Sequence, residues 1–140
     1  MSSWAGYALG SAVFAGLTAI LAKIGVGQIP SNVATLIRTV VILALAAAVV
    51  ILRKEWPGTG QLSGRSVTFL VLSGVTTGLS WLCYYRALQG GPASLVAPLD
   101  KLSLVVTLVL AASILGEHLT AWQWLGTFLM TAGAVLITVK

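Results

Sequence analysis

Three ionisable residues, Arg38, Asp100 and Lys101, stand inside runs of sequence that are otherwise apolar. In a bilayer such a charge costs about 3 kcal/mol on insertion scales, so it turns toward other protein or a wet path and is paired there. Arg38 falls about two helical turns into its run and Asp100 about two turns into its own, which puts both at one depth if the runs enter from the same side. That allows an Arg38 to Asp100 ion pair, with Lys101 about 100° further round its helix and facing a different neighbour. Two readings of the pair stay open: a structural tie between helices, or a site for substrate or a proton. Lys23 and Arg86 close two further runs on that same side. Together these cations would attract an anionic substrate group, although basic side chains at helix ends also snorkel to headgroups.

Aromatic residues add a second constellation. Trp81, Tyr84 and Tyr85 follow the spacing i, i+3, i+4 and share one helix face. They either wall a binding cavity with apolar rings and two hydroxyls or belong to an interfacial aromatic belt. Trp4, Trp56, Trp122 and Trp124 lie at run ends and read as belt residues that anchor depth.

Catalytic chemistry has no comparable support. There is a single His, a single Cys, no glycine loop leading to a Lys that would cradle phosphate, and no carboxylate pair at reactive spacing. Glu117-His118 is too sparse for a metal site, and Cys83 reads as a small packing residue that can form no disulfide within the chain. The expectation is a protein that is not an enzyme and holds neither metal nor cofactor.

The elements that must position these residues follow from composition. The 140 residues are 58% hydrophobic and only 8% charged, with a mean hydropathy of +1.00. That leaves too little polar surface for a globule in water. A membrane-spanning helix needs roughly 20 mainly apolar residues, and five stretches qualify: Trp4 to Ala22, Asn32 to Leu52, Ser66 to Leu88, Ala93 to Leu115 and Ala121 to Val139. Strands of a barrel would alternate apolar and polar residues, whereas Val40 to Leu52 is apolar almost throughout. The predicted class is therefore an all-α, polytopic membrane protein, a single transmembrane domain over residues 1–140. Nothing outside the spans is left to bind nucleic acid, despite a net charge of +5. Met1 to Gly6 has no Lys or Arg, so a cleaved signal peptide is not expected.

Breakers mark the connections: Gly25, Gly27 and Pro30; Pro57, Gly58, Gly60 and Gly64; Gly90, Gly91 and Pro92. Thr120 is placed to cap the last helix. Links this short imply antiparallel neighbours. Small residues recur four apart at Gly6 and Gly10, Ala12 and Gly16, Gly74 and Gly78, Ala112 and Gly116, a spacing that predicts close helix packing. Ser11, Thr18, Ser73, Thr76, Thr77 and Ser80 make the first and third helices suited to lining a cavity.

The run Gly116-Glu117-His118-Leu119-Thr120, then Trp122-Gln123-Trp124-Leu125-Gly126 and Gly133, resembles the closing segment of the EamA family of the drug/metabolite transporter superfamily. Ala22-Lys23-Ile24-Gly25, Arg38, Tyr85-Arg86-Ala87-Leu88 and Ala93-Ser94 through Pro98 agree in order and spacing, so the likeness covers essentially the whole chain. The resemblance implies a secondary transporter with substrate held between two inverted five-helix repeats and alternating access by rocking. This chain holds one repeat, and the likeness then implies a homodimer of two oppositely inserted copies. The count of Lys and Arg near span ends fits this: Arg53, Lys54 and Arg65 on one side, Lys23, Arg86 and Lys140 on the other.

Small multidrug resistance proteins, a four-helix relative, carry a Glu in the first helix for exchange of protons and cations. The first helix here has no acid, so that role falls to Asp100 or to none. The expected function is transport of small polar metabolites across a prokaryotic inner membrane. Arg38, Lys101 and Lys23 attract a carboxylate or phosphate, Asp100 handles a proton, and Trp81, Tyr84 and Tyr85 line the path. The expected partners are the substrate, the lipid bilayer and a second, antiparallel copy. A lipid-headgroup flippase and a non-transporting assembly subunit are the alternatives.

Overall fold

A computed structural model describes residues 3–58 and 62–139 of the chain. Gly60 and Lys140, the latter one of the six end-of-span cations, lie outside the described residues. All regular structure among the described residues is helical: α1 (Ser3–Gly25), α2 (Ser31–Arg53), α3 (Gly64–Gly90), α4 (Ala93–Asp100), α5 (Ser103–Ile114) and α6 (Ala121–Thr138). Among the described residues five spans are long and apolar enough to cross a bilayer, α4 and α5 together making the fourth. The predicted all-α class and five spans hold.

The fourth span departs from the single helix expected over Ala93 to Leu115. It is interrupted at Lys101 and Leu102. Pro98 lies inside α4 and has no amide hydrogen for the Ser94 carbonyl one turn back. One turn later the ladder tightens: the amides of Lys101, Leu102, Leu104 and Val105 each bond the carbonyl three residues before, at 3.0–3.1 Å. That is a 3₁₀ pattern in mid-span, which recurs at hinges. It falls on the only two charged residues of this span.

The chain divides into two compact units. In the unit Leu21–Gly90, α2 packs on α3. The start of α2 meets the end of α3, since Arg38 lies against Trp81 and Tyr85, so the two helices run antiparallel. The tightest packing sits at that end, where Val26 and Leu88 are sealed and Ala22, Ala34, Thr35 and Tyr85 are buried around them. Thr35 gives its hydroxyl proton to the Ser31 carbonyl, which removes a bare polar group from the contact. Large apolar residues such as Leu43, Leu70 and Val71 face outward, the arrangement required when the surrounding solvent is lipid.

In the other unit, residues up to Ile20 and from Gly91 onward, α6 packs on both α4 and α5. Thr120 caps α6 as expected: its Oγ1 accepts from the Gln123 amide, and the Gln123 side chain reaches back to the Thr120 amide at 2.7 Å. The α5 end is closed by Gly116 at φ +68°, a left-handed position suited to Gly, with the Glu117 amide reaching back to the Ala111 carbonyl at 3.2 Å.

Close packing at the glycine pairs does not follow inside either unit. A Cβ added at Gly6, Gly10 or Gly16, or at Gly74 or Gly78, meets no atom of its own unit within 4 Å. The backbones are not drawn together there, and these small faces stay open to whatever surrounds the chain.

Candidate functional site

Arg38 reaches its position because α2 begins cleanly after Pro30, with φ −55° and ψ 136°, and continues unbroken for 23 residues. Its guanidinium carbon lies 4.2 Å from the ring centre of Trp81 and 5.7 Å from that of Tyr85. Tyr85 is buried while Arg38, Trp81 and Tyr84 are half-buried, and Tyr84 meets Tyr85 edge-on at 6.4 Å between ring centres. Trp81 and Tyr85 are thus turned toward Arg38 of α2, with Tyr84 against Tyr85. Four of the seven site residues expected from the sequence form this one cluster.

The chemistry of the cluster is specific. Rings against a guanidinium hold the cation through their negative faces and accept none of its N–H bonds. Within this unit the carboxylate of Glu55, beyond the far end of α2, is paired with Arg53 at 3.8 Å. The described contacts of Arg38 are to rings alone. Its planar fork therefore keeps donors suited to a carboxylate or phosphate, which it can bind with two parallel bonds.

Lys23 has a different duty. Its ammonium donates to the Leu88 carbonyl at 2.5 Å, at the end of α3. Gln89 works beside it, donating to the Ile29 carbonyl at 2.8 Å and more weakly to that of Val26. Lys23 ties the last turn of α1, and Gln89 the loop after it, to the last turn of α3, and Lys23 occupies a carbonyl that the helix end leaves orphaned. Gln89 was not legible as functional, because an amide next to Gly90 has no distinguishing spacing.

In the other unit Asp100 and Lys101 are brought together with each other, Nζ to Oδ2 at 3.7 Å, and both side chains are partly exposed. Lys101 also borders a cavity of about 120 Å³ between α5 and α6, whose walls include Val105, Leu108, Thr127, Met130 and Thr131. The two Thr hydroxyls donate to carbonyls of their own helix at 2.8 Å. The cavity is thus lined mainly by hydrocarbon, with Lys101 as the charged residue among those named. No sequence signal marks it, because Thr127 and Thr131 sit in a run of ordinary small and apolar residues.

Among the described residues no group of three or more His, Cys, Asp or Glu side chains could hold a metal ion.

The model of the EamA-like transporter family matches residues 2–139. A Sinorhizobium protein named as an uncharacterized transporter in the cobO 3'region is 52% identical over 137 residues, 98% of this chain and 97% of that one. An uncharacterized protein of Methanocaldococcus jannaschii is 32% identical over 76 residues, 54% of this chain and 56% of its own length. No solved structure matches.

Proposed function

The chain belongs to the EamA-like transporter family and is a multi-pass membrane transporter; from that premise we propose that it carries small polar metabolites bearing a carboxylate or phosphate. The observation that supports this reading is the Arg38 guanidinium, held against Trp81 and Tyr85 within a membrane-spanning helix. A cation so placed needs an acceptor, and a transported anion is one. Tyr84 lines the same path from α3. Lys101 supplies a second positive charge in the other unit, Asp100 exchanges the proton that couples the cycle, and Lys23 holds the end of α3 through the Leu88 carbonyl.

The working form in this reading is a homodimer of oppositely inserted copies in a prokaryotic inner membrane, alternating access by rocking. The open faces at Gly74 and Gly78 support it, since a second copy can approach a helix closely there. So does the balance of end-of-span cations.

The test is flux in proteoliposomes loaded with small carboxylates and organic phosphates. Saturable uptake that falls at least tenfold in Arg38→Ala, with Asp100→Asn losing its dependence on a proton gradient, is the expected result. Full uptake in both variants would remove these residues from the mechanism.

A further inference from the structure

Resting on that reading of the chain as an anion transporter, we propose that the cavity between α5 and α6 is a subsite for the hydrocarbon part of an amphipathic carboxylate, with Lys101 at its rim holding the headgroup. The argument starts from what the walls offer. Val105, Leu108 and Met130 present hydrocarbon, and the hydroxyl protons of Thr127 and Thr131 are already given to the carbonyls of Gln123 and Thr127. A sugar or a second charged group inside would lack donors and be left with unmade hydrogen bonds. An apolar group loses nothing there and leaves its former solvent.

Size narrows the occupant. The volume of about 120 Å³ is a little below the roughly 150 Å³ of an engineered apolar cavity in an unrelated protein that takes up benzene, so it suits a group of about five carbons. Charge narrows it further. Lys101 borders the cavity, and its bond to Asp100 is long, 3.7 Å, between adjacent and partly exposed side chains. The ammonium has three donors, so a carboxylate can join it without displacing Asp100. Lys101 and Leu102, where the span is interrupted, are both among the residues that line the cavity.

Protection of an engineered thiol tests this without requiring transport. Met130→Cys is made in full-length protein carrying Cys83→Ala, reconstituted in liposomes and labelled with a small maleimide, with Leu136→Cys on the outward face of α6 as control. The probes are acetate, hexanoate and hexanol. Hexanoate is expected to slow labelling at position 130 about tenfold at a concentration about ten times its Kd, and to leave position 136 unchanged. Acetate and hexanol protect weakly, Lys101→Met abolishes protection by hexanoate, and Val105→Trp, which fills the cavity, makes labelling insensitive to every probe.

Equal protection by acetate would reduce the site to a bare cation and overturn the proposal. Equal protection by hexanol would mark a groove for any hydrocarbon, and labelling that begins only after lipid extraction would mark a resident acyl chain; both outcomes overturn it too. Arg38→Ala is expected to stop flux while leaving protection at position 130 intact. Loss of transport in that variant and failure of the subsite are therefore separately visible.

Discussion

The guanidinium of Arg38 lies over the ring of Trp81 at 4.2 Å, one helix supplying the cation and its antiparallel neighbour the ring. In a low-dielectric setting such a contact is worth about 2 kcal/mol or more. It orients the planar fork while leaving its edge able to receive an anion, an arrangement that a Lys cannot copy because its charge is a point on a flexible stem.

Replacing Trp81 by Leu keeps an apolar side chain against α2 but removes the ring. The apparent affinity for an anionic substrate is expected to weaken about tenfold, the equivalent of about 1.4 kcal/mol, and Arg38→Lys to weaken it comparably. Concentration dependence of flux in proteoliposomes reads both, and an unchanged apparent KM in Trp81→Leu would separate the ring from binding.

Lys23 and Gln89 are expected to matter for stability and not for affinity. Lys23→Met removes a charged hydrogen bond to the Leu88 carbonyl and exposes that acceptor, a loss of about 1.5–3 kcal/mol. Thermal unfolding in detergent should show a lowered midpoint, while substrate affinity of the surviving protein stays within about twofold of the parent, a change of less than about 0.5 kcal/mol.

Pro98→Ala returns an amide donor to the Ser94 carbonyl and favours a continuous fourth span. Turnover is expected to fall while apparent affinity holds, because the 3₁₀ turn at Lys101 and Leu102 loses its ease of bending. Hydrogen exchange provides the second readout: amides of Lys101 to Val105 should exchange more slowly in the variant. Faster exchange there would contradict the role given to Pro98.

Reporters fused after residue 140, one active only in the cytoplasm and one only in the periplasm, are expected to give signal from both sides. Adding two Lys residues beside Arg65 should bias insertion and reduce transport, and a second variant of opposite bias should restore it when co-expressed. Signal from a single side would rule out the antiparallel dimer. Gly74→Leu is expected to reduce cross-linking between copies, since a large side chain blocks the close approach that Gly permits.

The membrane class and the five spans were legible because apolar length is a one-dimensional property: a stretch either reaches across the hydrocarbon or does not. The cap at Thr120 was legible for a similar reason, since both of its bonds are to Gln123, three residues on. Trp81, Tyr84 and Tyr85 could be placed on one face by spacing alone, but what that face meets needed the neighbour's position. Packing sets Arg38 of α2 against Trp81 and Tyr85.

The glycine pairs show the reverse case. Their spacing permits close approach, and tertiary structure leaves them open within each unit. The break at Lys101 and Leu102 was half visible in Pro98, yet the tightened bonds fall one turn later and depend on the local ladder. Sequence by itself determined the solvent, the number of spans, and which charges enter them, because those follow from composition and length. Tertiary structure alone decided that Arg38 meets rings, that Lys23 ties off α3, and that a cavity opens beside Lys101, because each depends on residues far apart in the chain or on how two helix faces meet.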